Sequence, residues 1–230
     1  ADDDKWVPIV TRTKLQAHTR HFFSKEIQNQ GPFTHLRLRI YPDGGVSRLR
    51  VHGIVTTEGR EIQAISLLNA LDENSLEAEL RTCCGSSGWV KKMMATRPFT
   101  SLSSLQAKHH TASGALDKDD WLEAFRAHPR IGEKKAETRT GAQAATWASG
   151  EQARVSEASP VTLDALAKTN RAYEEKFGHI YIVCATGKTA EELLAIANER
   201  LVNDGATELA RAADEQKKIT DLRLTKLVRG

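Results

Sequence analysis

The 230-residue sequence contains few cysteines and no long apolar run. The three cysteines, Cys83, Cys84 and Cys184, are too few for a disulfide framework and lack the paired spacing of a zinc site. No apolar run approaches the ~18–20 residues that cross a bilayer, and the chain does not open with the basic and apolar segments of a secretory signal. We therefore expect a protein of the reducing cytoplasm with no membrane partner.

An excess of charge of one sign is also lacking. The 33 Lys and Arg residues against 30 Asp and Glu leave a net charge of +3, which is too small to require a nucleic-acid partner. Fifteen Gly and six Pro exclude collagen-like and low-complexity chains. The length allows one large or two unequal domains. We expect a small-molecule ligand or a protein partner, and no nucleic acid.

The first sixty residues show an apolar period of two. Apolar residues alternate with arginines on both sides of a turn at residues 42–45 (PDGG), where Asp-Gly favours the positive φ of a tight turn. This pattern predicts a β-hairpin with one apolar and one arginine face, and so a short all-β segment over residues 1–60. The apolar positions are Leu36, Leu38, Ile40, Leu49 and Val51, and the arginines are Arg37, Arg39, Arg48 and Arg50.

From about residue 61 the apolar period becomes helical and predicts an all-helical domain over residues 61–230. Five apolar residues, 180–184, are too few for a buried helix and predict one extended segment between helices. Gly178 and Gly205 are expected to end helices, and the last helix to run from about Thr207 to Leu227. The predicted helix starts are the pairs Asn74 with Glu77, Ser149 with Gln152 and Thr189 with Glu192, then Asp119 or Asp120, and Ser159 before Pro160.

His128 is the first candidate for chemistry. It ends a predicted helix and is followed by Pro129, which restricts the backbone and holds the imidazole on a rigid corner. A histidine at a helix C-terminus also complements the helix dipole without any catalytic role. Both interpretations stay open from the residues alone.

Two arginines fall on apolar helix faces. Arg223 continues the seam of the last helix, and Arg200 lies on the face that carries Leu193. Each should meet a carboxylate, because burying an unpaired charge is costly. That carboxylate belongs either to a ligand or to the protein, for instance to Glu151, which is predicted in the first turn of a helix after Gly150.

Other motifs are weaker. Residues 187–189 (GKT) lack the glycine that a phosphate-binding loop needs at position 182, so Thr189 is interpreted as a helix cap. The histidines His18, His21, His109 and His110 have no cysteine or carboxylate cluster beside them in sequence, so we expect exposed histidines and no metal site.

The order of the motifs resembles the 2-oxo-4-hydroxy-4-carboxy-5-ureidoimidazoline (OHCU) decarboxylase family over residues 65–228. The resemblance implies an all-helical, cofactor-free, commonly homodimeric enzyme that converts OHCU, formed from urate, into (S)-allantoin. The motifs that carry it are 80–86 (LRTCCGS), 97–99 (RPF), 120–125 (DWLEAF), 128–132 (HPRIG), 150–152 (GEQ), 170–173 (NRAY) with 176–178 (KFG), and 218–219 (KI) with 222–224 (LRL).

The resemblance also implies the site. His128 is the expected catalytic general acid and base, working near its ordinary pKa, and Glu151 is expected near the departing carboxylate. The family's usual serine is replaced by Ala148, and the hydroxyl moves to Ser149. The implied substrate-binding residues are Pro129, Ala148, Ser149, Gln152, Tyr181, Ile182, Val183, Cys184, Ala185 and Arg223, to which the apolar-face argument adds Arg200.

The N-terminal segment resembles the C-terminal end of allantoicase, a longer duplicated β-sandwich. The matching stretches are 31–32 (GP), 34–38 (THLRL), 41–46 (YPDGGV) and 48–53 (RLRVHG), with Trp6, Thr13, Leu15, His18 and His21 before them. The chain, which begins at Ala1, is therefore interpreted as a fragment of an allantoicase–decarboxylase fusion.

Two alternative functions remain. Residues 1–60 could carry allantoicase activity, the hydrolysis of allantoate, although about sixty residues bury little core. Alternatively, the chain is a helical interaction module without enzymatic activity, whose basic hairpin binds an acidic partner. The second alternative requires His128 and Arg223 to face solvent.

Overall fold

The structure is a computed structural model, and it describes residues 6–42, 44–132 and 142–230. It divides the chain into two compact units, Ala1–Thr56 and Thr57–Gly230. In neither unit do the described residues form a helix long and apolar enough to cross a membrane.

The described residues of the first unit contain bends and a turn but no strand and no helix. The predicted hairpin is therefore not observed. Its apolar side chains remain about half exposed, from 43% at Ile40 to 61% at Val51. Two strands alone are marginal in water, and the described residues of this unit leave these apolar side chains uncovered.

The second unit is helical, as the sequence predicts. Its described residues form nine α-helices and a short 3₁₀ helix, Ala153–Glu157. The α-helices are α1 (Thr57–Ala70), α2 (Glu73–Cys83), α3 (Ser87–Met94), α4 (Leu102–Gly114), α5 (Lys118–Arg126), α6 (Ala142–Glu151), α7 (Pro160–Phe177), α8 (Ala190–Arg200) and α9 (Gly205–Arg229).

The start of α7 and the start of α8 agree with the sequence. The Ser159 side chain accepts from the Thr162 amide, and Thr189 forms a reciprocal capping box with Glu192. Helix α7 ends at Gly178, whose φ of +74° lies in the left-handed region that glycine adopts readily.

Other predicted boundaries are wrong by a few residues. Helix α2 is capped by Asp72 instead of Asn74, and α5 by Asp117, with Asp120 as the third residue of its capping box. Each true cap lies two or three residues earlier, and its carboxylate accepts a hydrogen bond from the backbone amide three residues further on. Gly205 begins α9 after its cap Asp204, and does not end α8.

The predicted helix start at Ser149 and Gln152 is also wrong. These residues lie at the end of α6, whose last residue is Glu151. The alanine-rich sequence before them favours helix, so the chain is already helical where the capping pattern suggests a beginning.

The extended segment at residues 180–185 is present and separates two apolar cores. Alternate residues face opposite sides, as in a strand. Ile182 and Cys184 pack into a core built by α1 to α5 and α9, which contains the fully buried Trp89. Tyr181, Val183 and Ala185 pack into a second core. The latter is formed largely by α7 and α8.

Side chains bind three backbone groups of this segment, which pairs with no strand in the described part of the chain. Arg200 donates to the Ile182 carbonyl (2.7 Å), Glu215 of α9 accepts from the Cys184 amide (2.8 Å), and Lys188 donates to the Cys184 carbonyl (2.6 Å). Buried backbone groups need such partners. The segment is therefore fixed to α8 and α9 and forms a rigid wall.

Candidate active site

A recess of the helical unit brings together most of the predicted site residues. Its empty volume is about 390 Å³, which includes space open to solvent. Three elements and one side chain of α9 line it. The lining residues are His128, Pro129 and Ile131 after α5, Ala148, Glu151 and Gln152 at the end of α6, Tyr181, Ile182, Val183, Ala185 and Thr186 of the extended segment, and Ile219.

The corner that carries His128 is held against α7. Asn170 donates its amide to the Ile131 carbonyl (2.9 Å). Arg130 forms two hydrogen bonds with the Glu174 carboxylate (2.6 and 3.0 Å). Helix α7 therefore positions the corner that carries His128, although α7 itself does not line the recess.

The end of α6 is tied to the same corner. Gly132 has a φ of +85°, in the left-handed region, and its amide donates to Gln152 Oε1 (3.2 Å). Because the amide oxygen of Gln152 is used in this way, its Nε2 is the group that can donate to a ligand in the recess.

The His128 ring is neutral at physiological pH. Its pKa is lowered to about 3, chiefly by burial and also by the nearby Arg223 charge, while the side chain of Gln216 opposes both effects. The prediction of a pKa near the ordinary value is therefore wrong. The ring is prepared to accept a proton and does not carry one in advance.

Glu151 lies between two cations of α9. Its carboxylate accepts from Arg223 Nη2 (2.9 Å) and Nε (3.1 Å), and from Lys226 Nζ (3.0 Å). An acid at a helix C-terminus is destabilised by the helix dipole, and these cations compensate for it. The three groups together carry a formal charge of +1. The anion that the buried Arg223 needs is thus a protein carboxylate.

Four predicted residues do not line the recess, and three of them are Arg223, Ser149 and Cys184. Arg223, 4% exposed, lies behind Glu151 and also points towards the Thr82 carbonyl (3.4 Å). Ser149 is exposed and Ala148 is buried, because consecutive helical residues point in directions about 100° apart. The Ser149 hydroxyl therefore does not replace the family serine. Cys184 faces the other core.

Arg200 has a different function from the predicted one. It is 6% exposed, and its guanidinium donates to the fully buried Glu208, to Tyr173 (3.2 Å) and to the Ile182 carbonyl. Its charge is thus satisfied within the protein, away from the recess. We do not retain Arg200 among the candidate substrate-binding residues.

Two residues that the sequence did not single out for the site are Lys226 and Gln216. Lys226 follows Arg223 by three residues on the same face of α9, a spacing that could have indicated a joint partner. Gln216 lies on the predicted seam of α9, two turns before Arg223, and is fully buried.

The expectation of exposed histidines away from any carboxylate is wrong for His109. It is 1% exposed, accepts a hydrogen bond from Trp89 Nε1 (3.0 Å), and its Nε2 faces the Lys217 carbonyl (3.3 Å). His110 and Asp221 lie close enough to complete a three-residue cluster. Both nitrogens of His109 are already used, so we interpret it as a core histidine.

The fold and the site define a helical protein with a histidine–carboxylate recess for a small molecule. Residues 69–225 match the family described as OHCU decarboxylase, and the chain belongs to that family. Residues 1–56 match the allantoicase repeat.

Known proteins agree with both matches. The uric acid degradation bifunctional protein TTL of Arabidopsis thaliana is 38% identical over 151 residues, 66% of this chain and 47% of its own length. A crystal structure of OHCU decarboxylase in the presence of (S)-allantoin matches with a TM-score of 0.57 and 36% sequence identity. The match covers 66% of this chain and 99% of the chain in that crystal structure. The allantoicase of Dictyostelium discoideum is 53% identical over 51 residues, 22% of this chain and 14% of its own length. The chain thus spans less than half the length of the curated relatives named here.

Proposed function

We propose that the helical unit decarboxylates OHCU to (S)-allantoin without a cofactor. The observation that carries this proposal is the convergence of His128, Glu151 and Gln152 on one recess, against the wall formed by residues 181–185. Family membership and the OHCU decarboxylase structure at 36% identity support it.

Charge is the first contribution of the site. OHCU carries a carboxylate, and the +1 charge of Glu151, Arg223 and Lys226 attracts an anion to the recess. Glu151 lines the recess and can accept N–H groups of the ring or ureido substituent. Gln152 Nε2 can donate to a ureido oxygen. In this arrangement Arg223 orients Glu151 and does not itself bind substrate, and its charge also weakens any repulsion between Glu151 and the departing carboxylate.

Proton transfer is the second contribution. When the bond to the carboxylate breaks, carbon dioxide leaves and the electron pair passes to the conjugated ring. Neutral His128 accepts the proton of the substrate hydroxyl and returns it to the ring carbon, and the ring nitrogen that receives the electron pair takes one further proton from water. Because its pKa is depressed, His128 is neutral before the reaction and carries no proton in advance.

Replacement of the histidine tests the proposal. In the His128→Ala variant, we expect formation of (S)-allantoin, followed by its optical activity, to fall by about 10²–10⁴-fold with the helical circular dichroism retained. His110→Ala is the matched control, because His110 is exposed, pairs with Asp221 and does not line the recess. An undiminished rate in His128→Ala would end the assignment.

A second candidate is the allantoicase activity of the N-terminal segment, which the match of residues 1–56 favours. This segment corresponds to 14% of the Dictyostelium allantoicase. The test is urea release from allantoate, measured for the full chain and for residues 61–230. Release that depends on residues 1–60 would establish the activity, and no release from either would exclude it for this chain.

We further propose that the protein is a cytoplasmic homodimer, as the family resemblance implies. Sedimentation equilibrium of the full chain should give twice the monomer mass of 25.4 kDa. The interaction-module alternative is weakened by the burial of Arg223, which would have to face solvent.

A further inference from the structure

Two buried polar atoms, one of His128 itself and one of Gln216, lack a hydrogen-bond partner within the described part of the chain. Among the described residues, neither His128 Nε2 nor Gln216 Oε1 has one. Gln216 is fully buried on α9, three residues before Ile219, which lines the recess with His128. The Gln216 side chain lies close enough to the His128 ring to oppose the lowering of its pKa by burial. Leaving both atoms unpaired would be costly, since each buried polar atom loses its hydration.

The neighbouring Thr220 fixes the orientation of the Gln216 amide. The Thr220 hydroxyl donates its single proton to the backbone carbonyl of Gln216 (2.9 Å). Its oxygen can then only accept, and it accepts from Gln216 Nε2 (3.2 Å). The amide nitrogen is therefore held at Thr220, and Oε1 points away from it.

A neutral imidazole has one nitrogen that donates and one that accepts. Arg223, whose charge also acts on the His128 ring, can only donate. It is already bound to Glu151. Gln216 Oε1 is thus the acceptor that can select the protonated nitrogen.

We propose that Gln216 is a positioning residue that accepts a hydrogen bond from His128 Nε2–H and so leaves Nδ1 as the nitrogen that takes up the substrate proton. The inference rests on the proposed function of His128. The same contact stabilises the imidazolium once the proton has been accepted, because the oxygen then faces a positive ring.

The tautomer can be read directly. In the full chain labelled with ¹⁵N-histidine, long-range ¹H–¹⁵N spectra should show His128 with Nε2 protonated and Nδ1 bare, with the signals assigned by their loss in His128→Asn. Gln216→Met removes the acceptor and should move the proton towards Nδ1. Gln106→Met is the matched control, because the Gln106 amide donates to Thr225 of α9 as that of Gln216 does to Thr220. It should leave the tautomer unchanged.

Kinetics supply a second readout. Gln216→Met should lower kcat roughly tenfold, the effect of one lost hydrogen bond, with little change in KM. Gln216→Glu keeps an acceptor and should keep the Nε2–H tautomer, which a merely structural role would not predict. A wild-type His128 protonated on Nδ1, or a tautomer unmoved in folded Gln216→Met, overturns the proposal. If Gln216→Met does not fold, the wild-type spectrum decides. The tautomer is read without turnover, so its outcome is independent of the His128→Ala test.

Discussion

Replacing Arg200 by methionine should destabilise the helical unit severely. The change leaves the carboxylate of Glu208, which is fully buried, without its cation, while Tyr173 and Asn203 still donate to it. Breaking one partner of a buried ion pair typically costs about 3–5 kcal/mol. The Ile182 carbonyl also loses its donor, which adds roughly 1 kcal/mol or more. A loss of this size is a large part of the ~5–15 kcal/mol that holds most domains folded.

The measurement is urea unfolding followed by helical circular dichroism. Arg81→Met is the matched control, because Arg81 pairs with Glu77 on an exposed helix face and should lose at most about 1 kcal/mol. The double variant Arg200→Met with Glu208→Met should recover much of the loss, since no unpaired charge remains. An Arg200→Met protein of wild-type stability with a raised KM for OHCU would refute this reasoning and restore Arg200 to the substrate site.

Further predictions follow from the caps, the titrating histidines, the cations and the two units. The free energy of unfolding should fall as the pH drops from about 6.5 towards 5, because His128 and His109 stay neutral when folded and take up protons when unfolded, and urea midpoints at several pH values measure this. Asp117→Ala should lose about 1 kcal/mol by the same assay, as the capping box of α5 is lost. Lys226→Met should raise KM about two- to fivefold in steady-state kinetics, and Lys226→Arg should not. Deleting residues 1–56 should leave OHCU turnover within a few-fold, because the recess is built by the second unit.

The helical domain could be predicted from sequence because local signals agreed with the fold. The seam of α7, including Leu166, Asn170 and Tyr173, is buried as its helical period indicates, and residues 180–185 are extended. The hairpin is not observed in the described residues, and residue 43 of its predicted turn lies outside them. Alternation predicts a strand only where a second layer can cover its apolar face. Local pattern contains no information about whether that layer exists.

The residues that form the candidate site were easier to predict than their pKa values and positions. The grouping of His128, Glu151 and Gln152 followed from the motif order, but the pKa of His128 depends on burial and on Arg223, 95 residues away in sequence. The position of Glu151 depended on whether α6 begins or ends there, and capping patterns alone did not decide it. The contributions of Gln216 and Lys226 of α9 were missed because their contacts, His128 and Glu151, lie far from them in sequence.

Helix α9 places its functional contacts at fixed positions along one continuous rod. Glu208 holds Arg200, Glu215 holds the extended segment, Gln216 lies against His128, and Arg223 with Lys226 holds Glu151. Each inserted residue would turn everything beyond it by about 100° and shift it by about 1.5 Å. Substitutions in α9 therefore act one contact at a time, whereas a single insertion or deletion between residues 208 and 223 would break several contacts at once. Variation in chain length is expected to be tolerated in the loops before α9 and excluded from its middle.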